Sequence, residues 1–273
     1  MNQNKTSSIL RTLVYGAAAV TMLVLIAVVG YILIKGIPNL SPALFAWEYT
    51  TDNASMMPAI INTLSITAIA LLIAVPVGVG SAIYLVEYAK RGSKLVSLVL
   101  LTTETLQGIP SIVYGLFGYL MFVVALDWSY SLLAGTLTLA IMILPLVMRT
   151  TEEALKSVPD AFREGSFGLG AGKLRTVFRI ILPSAMPGIL SGVILGIGRI
   201  VGETAALMYT AGTVTGVAKG LFSSGRTLSV HMYALLSEGL YVEEAYATAV
   251  ILLIVVILIN AVSGWVAKKV TKK

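Results

Sequence analysis

Two otherwise apolar stretches carry ionisable side chains: Glu104 in TTETLQGIPS, and Arg199 with Glu203 in GRIVGETAALMYTAG. Four residues apart, Arg199 and Glu203 share one face if their segment is helical. An arginine offers a planar fork of donors that meets an oxyanion through parallel hydrogen bonds. A carboxylate beside it holds the fork in place and weakens its grip on an anion, which suits a site that must release what it binds. The expectation is that Arg199 lines a polar path, that Glu203 positions it, and that Glu104 supplies a second carboxylate. The alternative is that the three lock helices together, because an unpaired Arg at the centre of a bilayer costs roughly 2.5–3.5 kcal/mol even on the lenient insertion scale.

A second candidate for chemistry is GSFGLGAGKLRTVF, residues 165–178. Its glycines and lysine suggest a phosphate-cradling loop, but that loop requires G-x-x-x-x-G-K followed by Ser or Thr. Phe167 occupies the first glycine position and Leu174 follows Lys173, so no hydroxyl is left for a magnesium ion. The dinucleotide pattern fails as well, since Lys173 stands where a third glycine belongs. With no cysteine and a single histidine, His231, there is no disulfide framework, thiolate site or zinc-spaced pair. His231 is expected at the surface. No enzyme chemistry and no cofactor site are expected in this chain.

The elements that must position these residues are spanning helices. Of the 273 residues, 57% are hydrophobic and 12% charged, against about 25% charged in a soluble domain. Runs free of Asp, Glu, Lys and Arg cover 12–34, 53–86, 105–126, 128–148, 180–198 and 245–267, each near the length of about 20 residues needed to cross a bilayer. The reading is an all-α membrane protein of six spans. The first run is too long for a signal peptide and lacks a cleavage site. In the third, Gln107-Gly108-Ile109-Pro110-Ser111 gives either a proline kink or a break of the kind tolerated beside a cavity. Pro58, Pro76 and Pro145 are expected to be kinks.

The basic residues orient the chain. With the N-terminus inside, the inner segments hold Lys5, Arg11, Lys90, Arg91, Lys94, Arg149, Lys156, Arg163, Lys173, Arg175, Arg179, Lys268, Lys269, Lys272 and Lys273, fifteen of nineteen Lys and Arg. Excess Lys and Arg mark cytoplasmic loops, so both termini are expected in the cytoplasm. The net charge of +6 is therefore an orientation signal rather than one for nucleic acid. Outside lie 36–57, with Trp47 and Tyr49 as interfacial anchors, and 213–244, where LSVHMYALLSEG is expected to form a short helix.

The longest inner loop, 149–182, reads as a helix entered at Ser157-Val158-Pro159-Asp160, a turn at Gly170 or Gly172, and a second helix returning to the membrane at Pro183. Here Glu164-Gly165-Ser166, Gly170 and Ile180-Ile181-Leu182-Pro183 resemble the signature E-A-A-x3-G-x9-I-x-L-P of ABC importer permeases. Gly165 and Ser166 replace the two alanines, one small residue for another. The resemblance implies the type I importer permease fold and a loop that docks on a separate ATPase through Glu164, Gly165, Ser166, Gly170, Ala171, Leu182 and Pro183.

LQGIPSIVYGLFGY (106–119), GRIVGETAALMYTAG (198–212), LSVHMYALLSEG and EEAYATAVILL narrow the similarity to phosphate-specific permeases of the PstA type, over about residues 55–265. That resemblance implies a subunit of an inorganic phosphate importer in a bacterial or archaeal cytoplasmic membrane. The implied partners are a homologous second permease (PstC type), an ATPase dimer (PstB type) holding ATP and Mg, and an external phosphate-binding protein (PstS type). The family's intramembrane Arg and Glu carry over to Arg199 and Glu203. The implied organisation is an N-terminal helix and outer loop at 1–54, the transmembrane domain at 55–267, and a basic tail at 268–273. Importers of sulfate, molybdate or phosphonate remain open, since one Arg does not separate oxyanions. A secondary transporter would usually show inverted repeats, and none are visible.

Overall fold

The computed structural model describes residues 3–90 and 92–271, and no strand occurs among them. Arg91, Lys272 and Lys273, counted above with the orienting charges, lie outside the described residues. The helices are α1 (Gln3–Gly36), α2 (Met57–Ile83), α3 (Lys94–Gln107), α4 (Ser111–Gly118), α5 (Leu132–Lys156), α6 (Asp160–Gly168), α7 (Lys173–Thr176), α8 (Leu182–Val201), α9 (Ala205–Thr210), α10 (Leu228–Glu238) and α11 (Val242–Thr271). Wider π-type turns extend α2 over Tyr84–Tyr88, extend α4 over Tyr119–Ala125, and join α7 to α8 over Val177–Ile181.

Five stretches are long and apolar enough to cross a membrane: Leu10–Asn39, Met57–Tyr88, Leu132–Lys156, Lys173–Val201 and Val242–Lys269. The third expected span, 105–126, is not straight. It begins earlier than expected, at Lys94, and α3 meets α4 at 103°. Pro110 lacks a backbone donor and disfavours the helical conformation at Ile109, so the chain turns there. Two side chains serve backbone carbonyls at the bend: the Tyr114 hydroxyl donates to Leu106 O at 2.9 Å, and Gln107 Nε2 donates to Pro145 O at 3.1 Å. Pro76 and Pro145 lie inside continuous helices, whereas Pro58 opens α2 and kinks nothing. A proline in the first turn loses only a donor that had no helical partner.

The α5 helix is the hub, with 67% of its most apolar stretch buried, whereas none (0%) of that of α1 is. Small residues let neighbours approach it, as is usual where lipid supplies no hydrophobic drive between helices. A Cβ on Gly188 of α8 would lie 2.6 Å from the Cβ of Ala154, and one on Gly192 would collide with Thr150. The buried core falls into three clusters. Ile66, Leu139, Ile143, Ile200 and Leu207 occupy the middle. Leu155, Val177, Ile181 and Ile189 form the end beside α6 and α7, and Leu44, Met56, Leu228 and Leu235 form the opposite end.

Candidate functional site

Arg199 stands in the last turn of α8 and is half-buried. A cation there complements the partial negative charge of the helix C-terminus. Its guanidinium is close enough to the Tyr114 phenol of α4 to act on it electrostatically, which places it beside the broken span. No ion pair to Arg199 occurs among the described residues.

The expected pairing with Glu203 is not found. The α8 helix stops at Val201, where the Gly202 N–H closes on Gly198 O, so the two residues do not share a helical face. Glu203 instead reaches forward. It is buried, and its Oε1 accepts from Ala206 N at 3.0 Å in the first turn of α9. Its own carbonyl accepts from Ser229 Oγ of α10 at 2.6 Å. Glu203 therefore joins α8, α9 and α10 and does not hold the arginine fork. Glu104 is exposed on α3, one turn before the bend, and is paired with neither residue among the described ion pairs.

The loop signature is built from recognisable local chemistry. The α6 helix ends at Gly168, and Gly170 follows in the left-handed region at φ +79°. Ala171 N–H bonds to Ser166 O at 3.1 Å and Gly170 N–H to Phe167 O at 2.9 Å, the doubled closure that a glycine at this position permits. Of the expected coupling residues, Ser166 is buried and shares a 2.8 Å hydroxyl contact with Thr176 across the turn. Glu164 and Gly165 face outward, Ala171 and Leu182 are half-buried, and Pro183 is exposed in the first turn of α8. Phe162, Phe167 and Leu169 project from the tip, Leu169 with 91% of its surface free.

One fastener of this loop was not foreseen from the sequence. Arg163 donates from Nη2 to Glu87 Oε1 at 2.7 Å and to Leu155 O at 3.0 Å, and from Nη1 to Val158 O at 2.8 Å and Asp160 Oδ1 at 3.2 Å. It thus fixes α6 to the end of α2 and to the last turn of α5. Arg163 adjoins the signature glutamate, but its partner lies 76 residues away, beyond any local pattern.

At the opposite end, the α10 helix forms where expected, but His231 is not at the surface. It is 1% exposed, its ring edge-on to Tyr49 at 6.1 Å. Burial, and then the nearby Arg226 cation, push its pKa down to about 3. Arg226 is also buried and sits 4.8 Å over the Tyr49 ring. Asn62 of α2 fastens the adjoining segment, donating to Gly216 O and Arg226 O and accepting from Ala218 N. The apolar period around His231 lets it turn inward as readily as any neighbour, which residue type alone does not reveal. No cluster able to hold a metal ion occurs among the described residues.

Comparison with known proteins places this architecture. Residues 74–273 match the family described as binding-protein-dependent transport system inner membrane component. The chain is 32% identical to the probable ABC transporter permease protein YqgI of Bacillus subtilis, over 100% of this chain and 99% of that one. It is 35% identical to the phosphate transport system permease protein PstA 1 of Mycobacterium tuberculosis, over 79% of this chain and 71% of that one. Among solved structures, a bacterial alginate ABC transporter in complex with its alginate-bound periplasmic protein aligns with TM-score 0.68 at 16% identity, over 98% of both chains.

Proposed function

The chain belongs to the family of binding-protein-dependent transport system inner membrane components, and on that premise we propose that it is one permease subunit of an ATP-driven importer of inorganic phosphate. The observation that carries the substrate is Arg199, a half-buried guanidinium with no described carboxylate partner, beside a broken span in a chain similar to permeases named for phosphate. A fork left free by its neighbours can meet two phosphate oxygens at once. Water reaching a half-exposed site keeps the effective dielectric high and the grip moderate, so release does not need a competing carboxylate. Glu203 contributes by fixing the junction from which Arg199 projects, and Glu104 offers a charge at the bend.

In this reading the basic end faces the cytoplasm of a bacterial or archaeal cell, and both termini lie there. A second permease of the PstC type completes the path. An external binding protein of the PstS type delivers phosphate to the outer segments 36–57 and 213–244. An ATPase dimer of the PstB type holds ATP and Mg, and its closure pushes on the turn at Glu164–Gly170. The thrust enters α8 through Ser166 and Thr176, and enters α5 and α2 through Arg163. The helices then part outward and phosphate passes Arg199. The sequence carries no phosphate-cradling loop of its own, consistent with hydrolysis on the partner.

The test is Arg199→Ala in the assembled importer. Co-purification of all subunits should be unchanged while phosphate uptake falls at least about tenfold, the equivalent of about 1.4 kcal/mol. Arg199→Lys, which keeps the charge and loses the fork, should retain part of the activity. Normal phosphate accumulation by Arg199→Ala would refute the role in the path.

A further inference from the structure

Two concavities lie beside the end of α2 and the Tyr84–Tyr88 turn that extends it. The first, about 550 Å³, lies between the Tyr84–Tyr88 turn, the start of α3 and the α6–α7 loop. Its charged lining is Lys90, Lys156, Arg163 and Lys173 against Glu87 and Asp160. Both acids accept from Arg163, and Lys156 is held by Glu152. Lys90 and Lys173 have no carboxylate partner among the described ion pairs. Lys173 Nζ instead lies 5.2 Å from the centre of the Tyr88 ring. The groove therefore keeps an excess of positive charge.

The second concavity, about 340 Å³, is lined by Gly80, Ile83, Tyr84, Tyr88 and Phe178. Tyr84, Tyr88 and Phe178 are 60%, 40% and 52% exposed, so this wall stands open. A Cβ on Gly80 would meet no atom within 4 Å, and the missing side chain deepens the groove. Tyr88 links the two spaces through Lys173: it walls the apolar one, and its ring carries the Lys173 ammonium that lines the charged one. It is also the last residue of the span Met57–Tyr88. From Gly80 to Tyr88 the helix rises about 12 Å. The succession is an apolar trough within the span, a tyrosine at its end, and lysines beyond.

Resting on the reading of this chain as a membrane permease, we propose that the paired concavities bind one anionic phospholipid, with its phosphate at Lys90 and Lys173 and one acyl chain along Gly80–Tyr88. Basic pockets beside spanning helices suit such headgroups, each nearby Lys or Arg contributing about 1 kcal/mol. A free phosphate would make no use of the apolar trough. A zwitterionic headgroup would set its own cation among the lysines. The bound lipid touches the end of α2, the start of α3 and the loop that Arg163 fastens, so it braces the coupling loop from the membrane side.

The experiment uses the full chain in nanodiscs holding equal phosphatidylglycerol and phosphatidylcholine of identical acyl chains, released into native mass spectrometry. One phosphatidylglycerol should be retained preferentially. Lys90→Gln and Lys173→Gln should each lower that preference about fivefold, matching about 1 kcal/mol per lysine, and Gly80→Trp should reduce retention of both lipids. Thermal melts of the variants verify folding. Equal retention of the two lipids by the unmodified chain, or an unchanged preference in the double lysine variant, overturns the proposal. Displacement of phosphatidylglycerol by excess inorganic phosphate, or by added ATPase, also overturns it and assigns the groove to a soluble anion or to the partner protein. Phosphate uptake by the assembled importer is measured separately, so loss of lipid preference with uptake intact rejects the lipid site and leaves the transport reading standing.

Discussion

Replacing Arg163 by Ala removes the tie between the α6–α7 loop and two spanning helices. The side chains of Arg163 and Glu87 are 13% and 8% exposed, so the pair is nearly buried. Removing one member of a fully buried pair costs about 3–5 kcal/mol, since the other charge is left without a partner. The residual exposure of both groups puts this case at the low end, at about 3 kcal/mol. The carbonyls of Leu155 and Val158 also lose charged donors, a loss that overlaps with the first and is not simply added. At about 1.4 kcal/mol per tenfold, undocking of α6 should become about a hundredfold more frequent. Hydrogen exchange reads this directly: amides in 160–168 should exchange about a hundredfold faster, while those of α5 in the middle cluster are unchanged. In the assembled importer, ATP hydrolysis should persist while uptake falls, because the loop yields instead of transmitting thrust. Glu87→Gln should shift both readouts in the same direction by less. Unaltered exchange in 160–168 together with full uptake in Arg163→Ala would show that the contact carries no force.

The packing of α4 on α9 gives a second prediction: a Cβ at Gly115 would stand 2.7 Å from the Cα of Ala206. Because that neighbour is backbone, Gly115→Val should lower stability by about 1–3 kcal/mol and displace Tyr114 from Arg199, and a melt together with an uptake assay checks both. The buried His231 gives a third. Its pKa of about 3 in the folded chain lies below the ordinary value of 6.5, so the unfolded chain binds the extra proton between those values. Stability is then greatest above pH 6.5 and declines as pH falls toward 3, by about 1.4 kcal/mol per pH unit. Chemical denaturation at pH 7 and pH 5 should show a drop that His231→Gln lacks; equal drops in both proteins would place the titration elsewhere.

The spans were legible because lipid imposes a length of unbroken apolar sequence: five appear as helices with ends shifted by two to eight residues, and the third is a bent helix pair that starts eleven residues before its predicted limit. The break at Gly108–Pro110 was legible as one of two outcomes, since a proline lacks a donor in either case; the 103° turn depends on what packs around it. The turn at Gly170 could be read from residue type and position together. The Arg199–Glu203 pairing failed for a local reason. Spacing of four implies proximity only while the helix continues, and nothing in GRIVGETAAL marks the end at Val201 strongly enough. Gly202 is a modest stop signal in a stretch already rich in glycine. Arg163–Glu87, Asn62 with its three partners, and the burial of His231 join residues far apart in sequence, and local periodicity holds no record of such contacts.

The most direct measurement is uptake of labelled phosphate into sealed vesicles containing this chain and its partner permease, supplied with the external binding protein, with and without the ATPase and ATP. Uptake should require both ATPase and ATP and should be outcompeted by unlabelled phosphate but not by sulfate. Equal uptake without the ATPase would contradict a permease driven from outside the chain, and equal competition by sulfate would contradict phosphate as its substrate.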